Sequence, residues 1–383
     1  MRFEFATASR IVFGPGTVQE VPASAREMGN RAMLVTGKSE QRPAPLLEAL
    51  KEVGLETSVF QVPCEPTVSL VCQGAERARQ DGCDLVVGMG GGSVIDGAKA
   101  MAALVTNEGD IFDYLEVIGR GRPLDRDPIP CIAIPTTAGT GAEVTKNAVL
   151  ASPEHGVKVS LRHPRMLPDL AVVDPDLTHT MPPALTASSG LDALTQVLES
   201  FVSVKSNPLT DSLCREGLKR AFRSLRRAYR HGEDRTARED MAMVSLLSGL
   251  ALANAKLGAV HGFAGPMGGM FLAPHGVLCA RLLPFVMEAN VRALEARGSA
   301  DLLMRYDEIA RILTEKPEAK AEDGIAWVHA LCSEFHIPAL SDLGVSEDRF
   351  AEIISRAKKA SSMKGNPVEL TDEEMTRILE RAV

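Results

Sequence analysis

Two histidines, His261 and His275, hold the most chemical promise in this chain. They sit in the apolar stretch 254–276, NAKLGAVHGFAGPMGGMFLAPHG. A polar group buried without a partner costs about 1–3 kcal/mol. A metal ion, a hydrogen-bonded active site or one plain core hydrogen bond each would satisfy these imidazoles. Upstream, residues 189–200 (SGLDALTQVLES) carry Asp192 and Gln196 four apart, which on a helix puts both side chains on one face. An Asp oxygen and two imidazole nitrogens form a ligand set for Fe2+ or Zn2+, and an open position beside them would make the site catalytic. The Gln196 amide oxygen is a weak ligand at best. Pro274-His275-Gly276 reads as a helix break at which the backbone can aim the second imidazole.

A second chemistry is written in glycine. Residues 88–99, GMGGGSVIDGAK, follow a short apolar run and open a helix from Val94. Glycines let the backbone approach a ligand closely, and a new helix offers unpaired N–H groups and a positive dipole end, which together suit phosphate. The spacing departs from G-x-G-x-x-G, because Ser93 stands where the last glycine would be. A second loop, TTAGTGAEVT at 136–145, adds three threonine hydroxyls and two glycines before Glu143, another cradle for phosphate and ribose.

The elements that must position these residues fall into two halves. Strand-like runs at 9–16, 31–35, 56–62, 84–87 and 129–135 alternate with helix-like runs at 18–28, 45–53 and 68–80, which argues for a parallel α/β sheet. Residues 147–152 and 156–160 read as a hairpin with Lys158 on its second strand, and 167–174 as the last strand. From Pro182 onward nearly every segment has helical period and length, with Thr186 or Ser188 able to cap the helix that carries Asp192. The expected division is an α/β domain over 1–180 and an all-helical domain over 181–383, with the boundary near 178–183.

The totals exclude other classes. A chain of 383 residues is long for one core. Its net charge of −8 argues against nucleic acid or an anionic membrane as partner. The basic run 215–230 recurs at helical spacing and reads as a solvated helix face. Seven cysteines without a CxxC pair point to a reducing cytoplasm. No apolar run reaches the roughly 18 residues of a membrane span, and 241–253 reads as a buried helix.

Several motifs in order resemble the iron-containing, or group III, alcohol dehydrogenases, with their glycerol dehydrogenase and maleylacetate reductase relatives. They are RIVFGPG (10–16), GGGSVIDGAKA (90–100), PTTAGTGAEVT (135–145), LPDLAVVDPDLT (167–178), GLDALTQVLES (190–200), the VHG and PHG histidines, and Asn366-Pro367. The resemblance implies a Rossmann-like domain that binds NAD or NADP, an all-α domain that supplies the metal, and an active site in the cleft between them, as in dehydroquinate synthase-like architectures. It implies cofactor contacts at Gly37, Gly90, Gly91, Gly92, Ser93, Asp96, Thr136, Thr137, Thr140, Asn147, Lys158 and Leu177. Metal ligands would be Asp192, His261 and His275, with Gln196 where the family usually has a third histidine. Gly265 stands where a proton-relay histidine is usual. Gly37, with Lys38 and Arg42 nearby, offers no acid to repel a 2′-phosphate and so favours NADP or mixed use. The expected reaction is hydride transfer between NAD(P)(H) and a small alcohol, aldehyde or ketone, assisted by Fe2+ or Zn2+, in a cytoplasmic homodimer. The alternatives are a metal-independent reductase using His261 and His275 as hydrogen-bond donors, a non-redox lyase on the same scaffold, and a catalytically silent dinucleotide binder.

Overall fold

A computed structural model describes residues 2–383. The chain divides into two compact domains, Ala6–His179 and Thr180–Val383, and residues 2–5 group with the second.

The first domain carries β1 (Arg10–Phe13), α1 (Val21–Met28), β2 (Arg31–Thr36), α2 (Ala44–Glu52), β3 (Glu56–Gln61), α3 (Val68–Gln80), β4 (Leu85–Gly90), α4 (Gly92–Thr106), β5 (Cys131–Pro135), β6 (Asn147–Ser152), β7 (Val157–Arg162) and β8 (Leu170–Val173). Six strands form one parallel sheet in the order β1-β8-β5-β4-β2-β3. From β2 the chain moves outward to β3, then crosses back to lay β4 on the other flank of β2. The direction of winding reverses between β2 and β4, and a crevice outside the carboxyl ends of such strands is where parallel α/β sheets bind ligands.

Both faces of the sheet are buried, which is why its strands read as continuous apolar runs rather than as alternations. Ala32, Leu34, Leu85, Val87, Ile132 and Ile134 pack with Val21, Ala25, Leu46 and Leu50 of α1 and α2. Met33, Val35 and Val86 face the opposite way, onto α3 and α4. β6 and β7 pair antiparallel and lie against α4, sharing that second core through Ala148, Leu150, Val159 and Leu161. Helix α4 begins at Gly92, two residues earlier than the pattern implies, so Gly92 and Ser93 belong to its first turn.

The second domain is α5 (Pro183–Val202), α6 (Pro208–Arg230), α7 (Arg235–Ala255), α8 (Ala259–Phe271), α9 (His275–Ala296), α10 (Ala300–Thr314), α11 (Ala321–Glu334), α12 (Phe350–Lys359) and α13 (Asp372–Ala382). Helix α5 is its axis, with every residue from 190 to 202 buried. Its start corrects the expected cap. Pro183, whose ring presets a helical φ, opens the helix with no side-chain cap, and Thr186 and Ser188 lie inside it. Thr186 Oγ1 instead accepts from Arg238, at 2.8 Å. The basic run forms α6, but several of its charges are paired rather than simply solvated. Arg220 and Arg223 meet the buried Asp240, Arg215 meets Glu308, and Arg226 and Arg230 meet Glu334. No single helix among the described residues is long and apolar enough to cross a membrane. All seven cysteines are free thiols.

Candidate active site

Three helices of the second domain converge on one point. Asp192 comes from the buried middle of α5, His261 from the first turn of α8, and His275 with Cys279 from the first turns of α9. Their donor atoms all lie within 4.8 Å of one another. His261 Nε2 stands 3.3 Å from Asp192 Oδ1, and His275 Nε2 stands 3.9 Å from the same oxygen. The Cys279 sulfur is 3.7 Å from His261 Nε2 and 3.6 Å from His275 Nε2. Close approach at this point depends on Gly276. A Cβ there would meet the Ser188 carbonyl oxygen at 2.6 Å and push α9 off α5.

The start of α8 is fixed by buried polar groups. One Glu199 oxygen accepts from the Val260 amide at 2.6 Å, and the other accepts from His261 Nδ1 at 2.7 Å. The Asn366 side-chain oxygen accepts from the Ala259 amide at 3.1 Å, and Asn366 is locked in turn to Asn290. With its Nδ1 proton committed to Glu199, His261 turns Nε2 toward Asp192, His275 and Cys279. A carboxylate behind an imidazole in this way sets its tautomer and raises its strength as a ligand.

Electrostatics sharpen the centre. Burial works against an imidazolium at His261, yet Cys279, Asp192 and Glu199 outweigh it and push His261 well above its ordinary pKa. Burial would raise Asp192, but the two imidazoles prevail and hold its carboxyl below the ordinary aspartate value. Burial drives the Cys279 thiol up to about 12, with His261 offsetting it only in part. Asp192 Oδ1 is buried with no aligned hydrogen bond, although His261 stands nearby. An unpartnered anionic oxygen costs free energy, and a cation would remove that cost. For an ion about 2.0–2.3 Å from each donor, tetrahedral ligands stand about 3.3–3.8 Å apart. The closest donor pairs here already match that spacing, so the residues fit a divalent ion.

In the first domain, the glycine turn and the threonine loop abut. The Thr136 amide bonds the Gly90 carbonyl at 2.8 Å. A Cβ on Gly92 would strike the Thr140 side chain at 2.8 Å, so only glycine lets the two loops close. Thr137 flanks Gly91, and Gly37 approaches Val94 from the end of β2. No side chain caps the first turn of α4 at Gly91, which leaves its N–H groups for an anionic ligand. These features fit a dinucleotide pyrophosphate.

The sequence pattern described as iron-containing alcohol dehydrogenase matches residues 8–175, and that of the family's C-terminal region matches residues 186–383. The chain belongs to the iron-containing alcohol dehydrogenase family. Alcohol dehydrogenase 4 of Saccharomyces cerevisiae (strain YJM789) is 35% identical over 376 residues, 97% of this chain and 96% of that protein. The crystal structure of a 1,3-propanediol oxidoreductase superposes with a TM-score of 0.93 at 34% identity, covering 100% of both chains. That of sulfoacetaldehyde reductase from Bifidobacterium kashiwanohense in complex with NAD+ has a TM-score of 0.88 at 30% identity, covering 100% of this chain and 99% of that one.

In this iron-containing alcohol dehydrogenase family member, the residues named from sequence sort into groups. Asp192, His261 and His275 meet. Gln196 lies on the same helix, but its side-chain oxygen accepts from the Ser248 hydroxyl at 2.7 Å. Gly37, the residues 90–93, Thr136, Thr137 and Thr140 gather at the carboxyl ends of β2, β4 and β5. Asp96 is engaged elsewhere, accepting from the Val149 amide at 3.0 Å and pairing with Lys99 at 2.9 Å. The Asn147 carbonyl accepts from Lys99. Lys158, on the second strand of the hairpin, is largely buried and bonded to Glu65 at 2.5 Å. Leu177 packs against the core on the α1 and α2 face. A Cβ on Gly265 would find nothing within 4 Å. Phe263 and Met267 are fully buried core residues.

Sequence reasoning passed over three residues. Cys279 is four after His275 and so on the same helical face. Glu199 is seven after Asp192, again on one face. Lys99 is buried in α4 and donates to the Ala142 carbonyl at 2.8 Å and the Thr145 hydroxyl at 2.9 Å, holding the threonine loop in place. The spacings were present, but a lone cysteine and an acid in a helix gave no reason to look.

Proposed function

We propose that this family oxidoreductase transfers a hydride between NAD(P)(H) and a small alcohol, aldehyde or ketone at the Asp192, His261 and His275 centre. The observation that supports it best is the unpartnered Asp192 oxygen held at ligand distance from two imidazoles. A divalent ion held by Asp192, His261 and His275 would act as a Lewis acid toward the substrate oxygen. Glu199 keeps His261 in the tautomer that such a role requires. The amides of the first α4 turn and the hydroxyls of Thr137 and Thr140 would hold the dinucleotide phosphates and ribose. Hydride transfer then requires the nicotinamide and the carbinol carbon to meet in the ternary complex, with water kept away. The absence of an acid at Gly37, with Lys38 and Arg42 close in sequence, favours NADPH over NADH.

One observation favours a second reading. His261, with Glu199 behind its Nδ1, is placed to donate a hydrogen bond from Nε2 to a carbonyl oxygen without metal. NADPH and NADH oxidation with a panel of short aldehydes and ketones, before and after chelation, separates the two. Loss of turnover on chelation and its return with Fe2+ or Zn2+ supports the metal route. Turnover that survives chelation supports the donor route. Dinucleotide binding without turnover on any carbonyl would exclude both.

A further inference from the structure

Four donors, not three, face one another at the centre of the second domain. Cys279 Sγ lies 3.6 Å from His275 Nε2 and 3.7 Å from His261 Nε2, and Cys279 is completely buried. Its position follows from helix geometry, since residues four apart on α9 share a face and His275 occupies the first position of that helix. The Asp192 oxygen that lacks an aligned hydrogen bond belongs to the same group. On α5, Gln196 does not compete for the place, because Ser248 already bonds its amide oxygen.

We infer that Cys279 is the fourth ligand of the ion, giving a set of one carboxylate, two imidazoles and one thiolate. The inference rests on the metal reading above. As the bonds to the ion form, the Cys279 S–H proton and the proton on His261 Nε2 leave to solvent. Asp192 and Cys279 then contribute two negative charges that cancel a divalent cation inside a buried site, where an unbalanced charge is costly. A thiolate is a soft donor, and the tetrahedral set with two nitrogens suits Zn2+ or Co2+ and disfavours hard ions such as Mg2+ and Mn2+. The sulfur therefore narrows the choice of metal, away from the hard ions that a carboxylate and two imidazoles alone would still admit.

The test uses the full-length protein, stripped of metal and titrated with Co2+. The expected result is one ion per chain, with visible bands of tetrahedral intensity and a near-ultraviolet sulfur-to-cobalt charge-transfer band. Cys279→Ser should lose that band and weaken Zn2+ binding by at least the about 10–100-fold that loss of a supporting hydrogen bond costs. Cys332→Ser, a buried thiol outside the group, should keep both. Zinc-edge absorption on the unaltered protein needs no variant and should show one sulfur at about 2.3 Å. Stoichiometric Co2+ binding with no sulfur band, or zinc with only nitrogen and oxygen neighbours, would overturn the role of Cys279 while leaving a three-ligand centre standing. No stoichiometric Co2+ or Zn2+ binding would overturn both.

Discussion

Each domain hides an acid that is almost completely buried and has a carboxylate oxygen without an aligned hydrogen bond, Glu143 in the first and Asp192 in the second. Their pKa values are displaced in opposite directions. Burial pushes Glu143 up to about 7, and a backbone hydrogen bond and Lys99 offset it only in part. At Asp192 two imidazoles reverse the effect of burial. The difference lies in the surroundings. Lys99 is occupied by Asp96, by Thr145 and by the carbonyls of Ala142 and Asn147, so little of its charge is directed at Glu143. His261 and His275 present their nitrogens to Asp192 directly. One acid can stay neutral as part of a scaffold, while the other is kept anionic beside groups that can hold a cation.

The comparison can be broken most sharply at His261. His261→Ala should abolish stoichiometric metal binding and lower kcat/KM by about 10³-fold or more, since the electrophilic stabilisation of the substrate oxygen is lost. Dinucleotide affinity, measured by NADPH fluorescence, should be unchanged. A variant that keeps its metal and most of its activity would remove Asp192 from any special position.

At Glu143 the effect is on stability. The folded-state pKa lies above the ordinary value of 4.5, so the folded chain binds more protons between pH 4.5 and 7. Stability from this group is full below pH 4.5 and is lost as pH rises through 7. The shift corresponds to about 3 kcal/mol at 1.36 kcal/mol per pKa unit. Glu143→Gln should flatten this dependence and unfold later than the parent in urea at pH 8, with little difference at pH 4.5. Parallel curves for the two proteins across that range would refute the assignment. Asp192 has the opposite sign. Its contribution is present above the ordinary aspartate range and is lost in acid.

Glu199→Gln sharpens the picture of the second domain. The amide still accepts from Val260 or His261 but loses its charge, and metal affinity should fall about 10–100-fold, read by competition with a chromophoric chelator. Unchanged affinity would mean that Glu199 serves only to start α8. The smallest effect is expected in the first domain. Gly92→Ala drives a methyl into Thr140, so KM for NAD(P)H should rise by about tenfold, with the strain of an overpacked contact costing about 1–3 kcal/mol of stability. Metal content should not change.

The two sites also differ in how far the chain could be read. The glycine turn and threonine loop are built mainly from backbone, and backbone chemistry leaves a mark in one stretch of sequence: a buried strand, glycines and the start of a helix. Gly90 to Ser93 and Thr136 to Thr140 were legible for that reason. The candidate metal centre is built from side chains on α5, α8 and α9. Two histidines in apolar company betrayed part of it, whereas Cys279 and Glu199 are residue types common in buried and solvated helix positions and acquire meaning only from their neighbours. Lys158 shows the same limit in reverse. A lysine on a hairpin reads as a surface charge until the chain supplies Glu65 beside it.

By itself the sequence determined the alternation of strands and helices, the change to an all-helical second half, the family and three side chains of the candidate metal group, because hydrophobic period, glycine and proline act over a few residues. The tertiary structure decided which carboxylate stands behind His261, that Gln196 is committed to Ser248, that a thiol joins the ring of donors and that two buried acids are shifted in opposite directions. Those outcomes depend on distances between helices and on the removal of water, and neither is encoded in the local order of residues.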